Sequence, residues 1–277
     1  MASGAKRKGN PKKSAVKAAR GSVVAQKQTP WGTIIAVIAI LLLAVGVFGY
    51  YYVASSDNRA QKEREEAAAS FAPSAQNPDP SKNIPGVVTA QYRAGAHVLP
   101  TERVAYDKTP PFGGPHDGFW AACTGTVYPN AVRTENMVHS LEHGAIWIAY
   151  DPKRVQGEDL DKLKVRVQNK PFMMLSPYPG LDKPVSLQSW GHQLKVDSVE
   201  DQRIDQFIAA LKRNPNTYPE VGASCDALGP GQFDPDNPPP FDPSEPGPDA
   251  KPMDYEGTGN AAQDQPMGDG SRQPSGN

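Results

Sequence analysis

An uncharged run of 23 residues near the N-terminus, WGTIIAVIAILLLAVGVFGYYYV (Trp31–Val53), constrains this chain more than any other feature. A helix needs about 20 apolar residues to cross the hydrocarbon core of a bilayer. Trp31 begins the run and three tyrosines lie near its end, as is typical at membrane interfaces. The run therefore predicts one transmembrane helix at residues 31–53. Its length, and the poor cleavage site that follows it, favour an uncleaved anchor over a signal peptide.

The segment before this helix is strongly basic, because residues 1–30 carry eight lysines and arginines and no acidic residue. Basic flanks stay on the cytoplasmic side of a membrane, so residues 1–30 are predicted to be a cytoplasmic tail of a single-pass cell-membrane protein. The rest of the chain should then be extracytoplasmic. A basic tail can also bind nucleic acid, but no aromatic interleaving or nucleic-acid motif accompanies this one, so we expect no nucleic-acid partner.

Composition divides the remaining chain into three parts. Residues 54–82 contain a charged run of helix formers and then three prolines, with a fourth at Pro85, which predicts a stalk and a proline-rich linker. From residue 227 onward, nine acidic residues stand against two basic ones among many prolines and glycines, which predicts a disordered acidic tail at 227–277. A globular domain is therefore expected at 83–226.

The spacing of apolar residues predicts the elements of this domain. Strands are expected at Phe119–Tyr128, Ala145–Asp151, Phe172–Tyr178 and Val185–Val196, and helices at Thr134–His143, Glu158–Asn169 and Ser198–Arg213. This order predicts an α+β domain with one mixed sheet, in which the second helix makes a right-handed parallel crossover. The order is also compatible with a thioredoxin-like arrangement.

The two cysteines, Cys123 and Cys225, both lie in the predicted domain. A disulfide is permitted in an extracytoplasmic compartment, and the even number favours one. Two free thiols or a cysteine metal ligand are the other interpretations. The absence of a CxxC motif argues against a thiol oxidoreductase.

Histidines give the strongest signal for a site. His139 and His143 are four residues apart in MVHSLEH, so a helix places both on one face together with Glu142. His116 follows a turn, TPPFGGPH, that its prolines stiffen. Imidazole is a common ligand of transition metals, so we predict a copper or zinc site made by His116, His139 and His143, with Glu142 as possible support.

Other residues can complete such a site. His97 and His192 are reserve ligands, and Met137, Met173 and Met174 would add soft ligands if the metal were copper.

The same letters allow two other interpretations. HSLEH matches the H-x-x-E-H motif of inverted zinc peptidases, but Gly144 should end the helix at once and no second helix offers a glutamate ligand. Alternatively, His143 stabilises the C-terminus of the helix while His139 and Glu142 form local hydrogen bonds.

Five segments carry a resemblance to a known family: TPPFGGPH, NMVHSLEHGAIWIAYDP, MLSPYPGL, SWGHQL and YPEVGASC. In this order they resemble an actinobacterial, membrane-anchored family called domain of unknown function 3105, over residues 83–226. The family typically has a serine or threonine pair where this chain has Phe112 and Gly113. The resemblance implies the anchor, the domain boundaries and the pairing of Cys123 with Cys225, but no reaction.

Together these features favour a membrane-anchored extracytoplasmic binding protein that holds a transition metal through its histidines. The alternative is a non-catalytic structural or assembly subunit of a cell-envelope complex, with a protein partner in the envelope. An enzyme with Glu142 as general base is the third interpretation and the one that the sequence favours least.

Overall fold

The computed structural model describes residues 30–257, apart from the side chains of 54 and 56–58. The chain divides into two compact units, Met1–Ala54 and Ser55–Asn277. Helix α1 (Trp31–Ala68) contains the apolar stretch Trp31–Val53, whose mean hydropathy is 2.7. This stretch has the length and composition of a membrane anchor or of a signal sequence. The predicted basic tail lies outside the described residues, apart from Pro30.

The second unit is built on a mixed sheet of six strands. The strands are β1 (Val88–Thr89), β4 (Thr124–Val127), β5 (Ile146–Tyr150), β6 (Met173–Pro177), β7 (Val185–Ser189) and β8 (His192–Val196), in the order β1-β8-β7-β5-β6-β4. Strands β5 and β6 are parallel and joined by α3 (Gly157–Val167), which confirms the predicted parallel crossover. Two further strands, β2 (His97–Val98) and β3 (His116–Asp117), form a separate parallel ladder.

Strand β5 separates the hydrophobic core into two layers. Its alternate residues Ile146 and Ile148 belong to one cluster, with residues of α3 and of α4 (Arg203–Leu211). Trp147 and Ala149 point the other way, into a cluster with residues of α2 (Thr134–Glu142). Both layers are fully buried, as expected for a central strand that is covered on its two faces. The α+β prediction with a mixed sheet is therefore confirmed.

Two predicted elements differ from the structure. The segment predicted as one strand, Val185–Val196, is a hairpin in which Ser189 pairs with His192 across a turn at Gly191, whose φ is +68°. The apolar pattern continues through the turn, so hydrophobic periodicity does not reveal that the chain reverses direction there. Helix α4 begins at Arg203 rather than at Ser198. The Ser198 hydroxyl instead accepts a hydrogen bond from the Glu200 amide in a turn before the helix.

The predicted thioredoxin-like arrangement stays a prediction. Strand β7 runs antiparallel to both β5 and β8, which suits it. Residues 178–184, however, join β6 to β7 through turns rather than through a helix.

The packed chain extends beyond residue 226. Phe233 is fully buried in the core cluster around Trp147, and short bridges pair Pro240 with Val132 and Lys251 with Val104. The disorder predicted from residue 227 onward does not describe residues 227–257. Composition alone did not predict this packing. Prolines lower the conformational entropy that the segment loses on ordering, so a few buried aromatic side chains are enough to hold it. Residues 258–277 lie outside the described residues.

The predicted stalk and linker also contact the domain. The Glu65 carboxylate lies 2.9 Å from the Lys170 ammonium, and the Asn214 side chain donates a 2.8 Å hydrogen bond to the Pro78 carbonyl. Ala68 and Ser81 are buried. The charge and proline content of this segment predicted that it would be solvated. Its polar groups instead pair with residues of the domain.

Cys123 and Cys225 form a disulfide, as predicted, with their Cα atoms 4.7 Å apart. The Cys123 amide also donates a 2.9 Å hydrogen bond to the Cys225 carbonyl. The bond connects the start of β4 to a segment 102 residues further along the chain. It therefore fixes the loop that follows α4 against the sheet.

Replacing both cysteines with serine should lower the free energy of unfolding. Closing a loop of this length is worth about 4.7 kcal/mol in the chain-entropy model, and measured losses on removing a native disulfide are about 2–5 kcal/mol. Urea unfolding of the full chain, followed by tryptophan fluorescence, measures the loss. Reduction of the unmodified protein should give a similar loss, and unchanged stability in both experiments would contradict the prediction.

Gly144, which follows α2, should be sensitive to substitution for two separate reasons. Its φ is +87°, and a Cβ there would lie 2.7 Å from the Tyr218 ring. Gly180 has a similar φ of +89° but no atom within 4 Å of such a Cβ. Gly180→Ala should cost about 1–2 kcal/mol for the left-handed conformation alone, and Gly144→Ala about 1–3 kcal/mol more for the steric overlap. Equal losses in urea unfolding would show that Tyr218 moves away freely.

Candidate metal centre

Helix α2 supplies one half of a buried cluster of histidines and carboxylates. It begins at Thr134 and ends at Glu142, one residue before His143. His139 and Glu142 are three residues apart and His143 is one residue further on, so one face of the helical turn carries all three side chains. The opposite face, with Met137, packs in the core cluster around Trp147.

The short ladder of β2 and β3 supplies the other half. Its register pairs His97 directly with His116, whose ring centroids are 4.9 Å apart. The turn before β3 is held by a 2.8 Å hydrogen bond from the Tyr106 hydroxyl to the Pro115 carbonyl. A two-residue pairing thus brings together two histidines that are 19 positions apart in the sequence.

Four of these side chains form one group. His97, His116, His139 and Glu142 each offer a ligand atom, and these atoms all lie within 4.8 Å of one another. The four residues are between 0% and 5% exposed. A group of this composition and spacing can hold a metal ion.

Backbone carbonyls fix the orientation of three histidines. The Nδ1 atom of His116 lies 2.8 Å from the Gly114 oxygen, that of His139 lies 2.6 Å from the Asp117 oxygen, and that of His143 lies 2.6 Å from the Ser224 oxygen. Because a carbonyl oxygen only accepts, each Nδ1 must carry a proton and donate it. In the neutral ring this leaves the Nε2 lone pair as the ligand, which is how metal-binding histidines are commonly held.

The Asp117 carbonyl that orients His139 is itself fixed. The Asp117 side chain forms an ion pair with Arg133 and accepts a 2.8 Å hydrogen bond from the Phe119 amide. Arg133 in turn donates a 2.6 Å hydrogen bond to the Glu102 carbonyl. Both β3 and the start of α2 are thereby tied to one charged pair behind the ligands.

Glu142 is the fully buried carboxylate of the group. Its Oε1 atom accepts a 2.9 Å hydrogen bond from the Gly95 amide, while its Oε2 atom lies 2.8 Å from His116 Nε2. While His116 is neutral its proton is on Nδ1, so the Nε2 lone pair faces the carboxylate and neither atom has a hydrogen-bond partner. Burying such polar atoms without a partner costs about 1–3 kcal/mol each. A cation between them would remove that cost.

The environment shifts the pKa values of the histidines in opposite directions. Burial lowers the pKa of His116, but the Glu142 carboxylate outweighs this effect and holds it above the ordinary value. Burial lowers the pKa of His139 well below the ordinary value, and positive charge on His116, His143 or His97 lowers it further. The lowered pKa keeps the His139 lone pair available, whereas the raised pKa of His116 means that it holds its proton to a higher pH than a free imidazole does.

A second, more exposed group adjoins the first. It consists of His139, His143 and Glu220, whose ligand atoms also lie within 4.8 Å of one another. The Glu220 Oε2 atom lies 3.0 Å from His143 Nε2, and the Glu220 side chain is 35% exposed. The adjacent His143 side chain lowers the pKa of Glu220. Glu220 therefore presents a negative charge to both histidines.

The structure distributes the predicted ligands over these two groups. His116 and His139 lie in the first, and His143 joins His139 in the second. The reserve ligand His97 lies in the first group. His192 lies elsewhere, with its Nδ1 atom 2.6 Å from the Trp190 carbonyl and its Nε2 atom 3.4 Å from Asp79.

The methionines considered as soft ligands pack in the core. Met137 and Met174 belong to the cluster around Trp147, and Met173 to the cluster around Ile148. The first group therefore offers imidazole nitrogen and carboxylate oxygen. That donor set suits zinc and copper(II) better than copper(I).

Sequence patterns missed Glu220 and gave His97 only as a reserve ligand. Glu220 sits in an irregular loop, and only its position five residues before Cys225 hints that the disulfide brings it near α2. His97 lies in a two-residue strand that no periodicity reveals. Its role depends on the ladder with His116, which is a tertiary contact.

Comparison with known proteins finds one similarity, to a family of unknown function. A family model described as "Protein of unknown function (DUF3105)" matches residues 97–227. No curated protein and no solved structure matches the chain. The matched range contains all the residues of both groups and both cysteines. Residues 97–227 of the chain are therefore similar to the DUF3105 family.

Proposed function

We propose that this protein is a membrane-anchored metal-binding protein whose domain holds one transition-metal ion through His97, His116, His139 and Glu142. The observation that carries the proposal is the buried pair of His116 Nε2 and Glu142 Oε2, which lie 2.8 Å apart and have no other hydrogen-bond partner. A carboxylate that is 0% exposed needs a positive partner. A divalent ion would supply the charge and give both atoms a bond.

The arrangement of the histidines around this pair favours a metal ion over a proton shared by His116 and Glu142. A proton between His116 and Glu142 would balance the charge of that pair, but it would give no role to His97 and His139, whose rings stack 5.1 Å apart beside it. The Nδ1 bonds of His116 and His139 orient both Nε2 atoms as ligands. Four ligands from protein side chains are the usual number at a structural zinc site.

The closed geometry favours binding over catalysis. All four ligands are at most 5% exposed, and a catalytic zinc site keeps one position open for water or substrate. Helix α2 also ends at Glu142, so the H-x-x-E-H letters do not sit within a long helix as the peptidase motif requires. Glu142 acts in this proposal as a ligand rather than as a general base.

The proposed location follows from the N-terminal helix. An uncleaved Trp31–Val53 span with a basic cytoplasmic tail would leave the domain outside the cytoplasm. The disulfide supports this location because such bonds persist in oxidising compartments. The predicted envelope partner stays a prediction.

The full chain, purified in detergent without an affinity tag, should contain about one equivalent of zinc or copper. The double variant His116→Ala and His139→Ala should contain a negligible amount, because two of four ligands are lost. Elemental analysis by mass spectrometry measures the content. Negligible metal in the unmodified protein, even after incubation with zinc and dialysis, would contradict the proposal.

His192→Ala is the matched control for this experiment. His192 has the same Nδ1 bond to a backbone carbonyl as His116, but it lies outside both groups. The variant should keep its full metal content. Glu142→Gln keeps the shape of the side chain and removes the charge, so it should lower metal content while circular dichroism shows an unchanged fold.

Zinc affinity should fall as pH decreases, beginning above the ordinary histidine pKa. The pKa of His116 is raised, so its proton is held at a higher pH than in a free imidazole, and zinc must displace that proton. Each unit of pH below the pKa should cost about tenfold in affinity for each proton displaced. Competition with a chromophoric chelator between about pH 8 and pH 6 measures this dependence. A constant affinity over that range would contradict His116 as a ligand.

A further inference from the structure

We propose that Glu220 and His143 form an entry site that captures a divalent transition-metal ion and passes it through His139 to the buried group. This inference rests on the proposed metal-binding function. It assigns to the second group a role distinct from that of the resting site.

Exposure decreases along this route. The Glu220 side chain is 35% exposed, whereas His143 and His139 are each 3% exposed. His116 and Glu142, at the end of the route, are 0% exposed. Among the residues of both groups, only Glu220 gives solvent substantial access. An ion that reaches the buried group by this side therefore meets the Glu220 carboxylate first.

Successive ligands on this route are close enough to exchange an ion stepwise. The Glu220 Oε2 atom is 3.0 Å from His143 Nε2. The ring centroids of His143 and His139 are 4.7 Å apart, and those of His139 and His116 are 4.8 Å apart. An ion can therefore bind the next nitrogen before it leaves the previous one. Full hydration of the ion inside the domain is then unnecessary.

His139 makes the two groups alternatives. Its Nδ1 atom is engaged by the Asp117 carbonyl, so only Nε2 can bind metal. One lone pair cannot serve two ions, and both groups require it. The arrangement therefore suits the transfer of one ion between two positions rather than a pair of bound ions.

The entry residues are held in register with the buried site. The Glu220 amide donates a 3.2 Å hydrogen bond to the Glu142 carbonyl, which joins the two carboxylate residues through the backbone. The Trp120 ring lies 4.8 Å from that of His143 and 5.6 Å from that of His139. Trp120 is fixed in turn by a 2.9 Å hydrogen bond to the Asp226 carbonyl. An aromatic ring thus shields the histidine part of the route from water.

Metal uptake kinetics test this assignment. The full chain in detergent micelles is stripped of metal with a chelator and mixed with Co²⁺ in a stopped-flow spectrometer, and the visible absorption of bound cobalt reports both rate and final occupancy. Glu220→Gln should slow uptake by about tenfold, because a carboxylate that attracts the cation is lost. Its final occupancy should equal that of the unmodified protein.

Two variants separate the outcomes. Asp236→Asn removes an exposed carboxylate that belongs to neither group, so its uptake rate should stay close to normal. Glu142→Gln should lower the final occupancy.

Three results would overturn the entry site: a normal uptake rate in Glu220→Gln, an equal slowing in Asp236→Asn, or a loss of occupancy in Glu220→Gln as large as in Glu142→Gln. Absence of cobalt binding in the unmodified protein would instead overturn the proposed function.

Discussion

The burial of the Glu142 carboxylate is the constraint on which this site depends. An ionised carboxylate removed from water is strongly unfavourable unless it is paired and hydrogen bonded. One Glu142 oxygen accepts a hydrogen bond from the Gly95 amide, and the other faces His116 Nε2 without a hydrogen-bond partner. The fold therefore places this carboxylate in its interior and surrounds it with imidazoles. The imidazoles can either accept a proton or bind a metal ion together with the carboxylate.

The scaffold around this charge has two levels of rigidity. The central strand β5 and its neighbours form a core in which residues such as Trp147 and Ile148 are fully buried on opposite faces of the sheet. Helix α2 packs on this core through Met137 and carries half of the ligands. The other half comes from a ladder of two-residue strands, which has little hydrophobic support of its own. Its position depends on polar anchors such as the ion pair of Asp117 with Arg133.

This difference explains how far the sequence could predict the molecule. The strands and helices around β5 follow hydrophobic periodicity, so the mixed sheet and the parallel crossover were predictable. His139 and Glu142 were predictable because helical spacing alone places them on one face. His97 was named only as a reserve ligand and Glu220 not at all, because each reaches the cluster through a tertiary contact: a ladder with His116 in one case and a backbone bond to Glu142 in the other. The packed segment after residue 226 was missed because composition does not register a single buried anchor such as Phe233.

That same segment explains why a site built from loops is so deeply buried. A Cβ at Gly114, in the turn before His116, would lie 2.5 Å from the Met253 methyl group, and one at Gly257 would lie 3.2 Å from the His97 amide nitrogen. The C-terminal segment therefore lies against both loops that carry the ladder histidines. Its ion pair between Glu256 and Arg93, with atoms 2.6 Å apart, adds a polar contact. Because this segment covers the ladder, Glu220 is the member of the two groups with appreciable access to solvent. The proposed route of the metal ion therefore starts at Glu220.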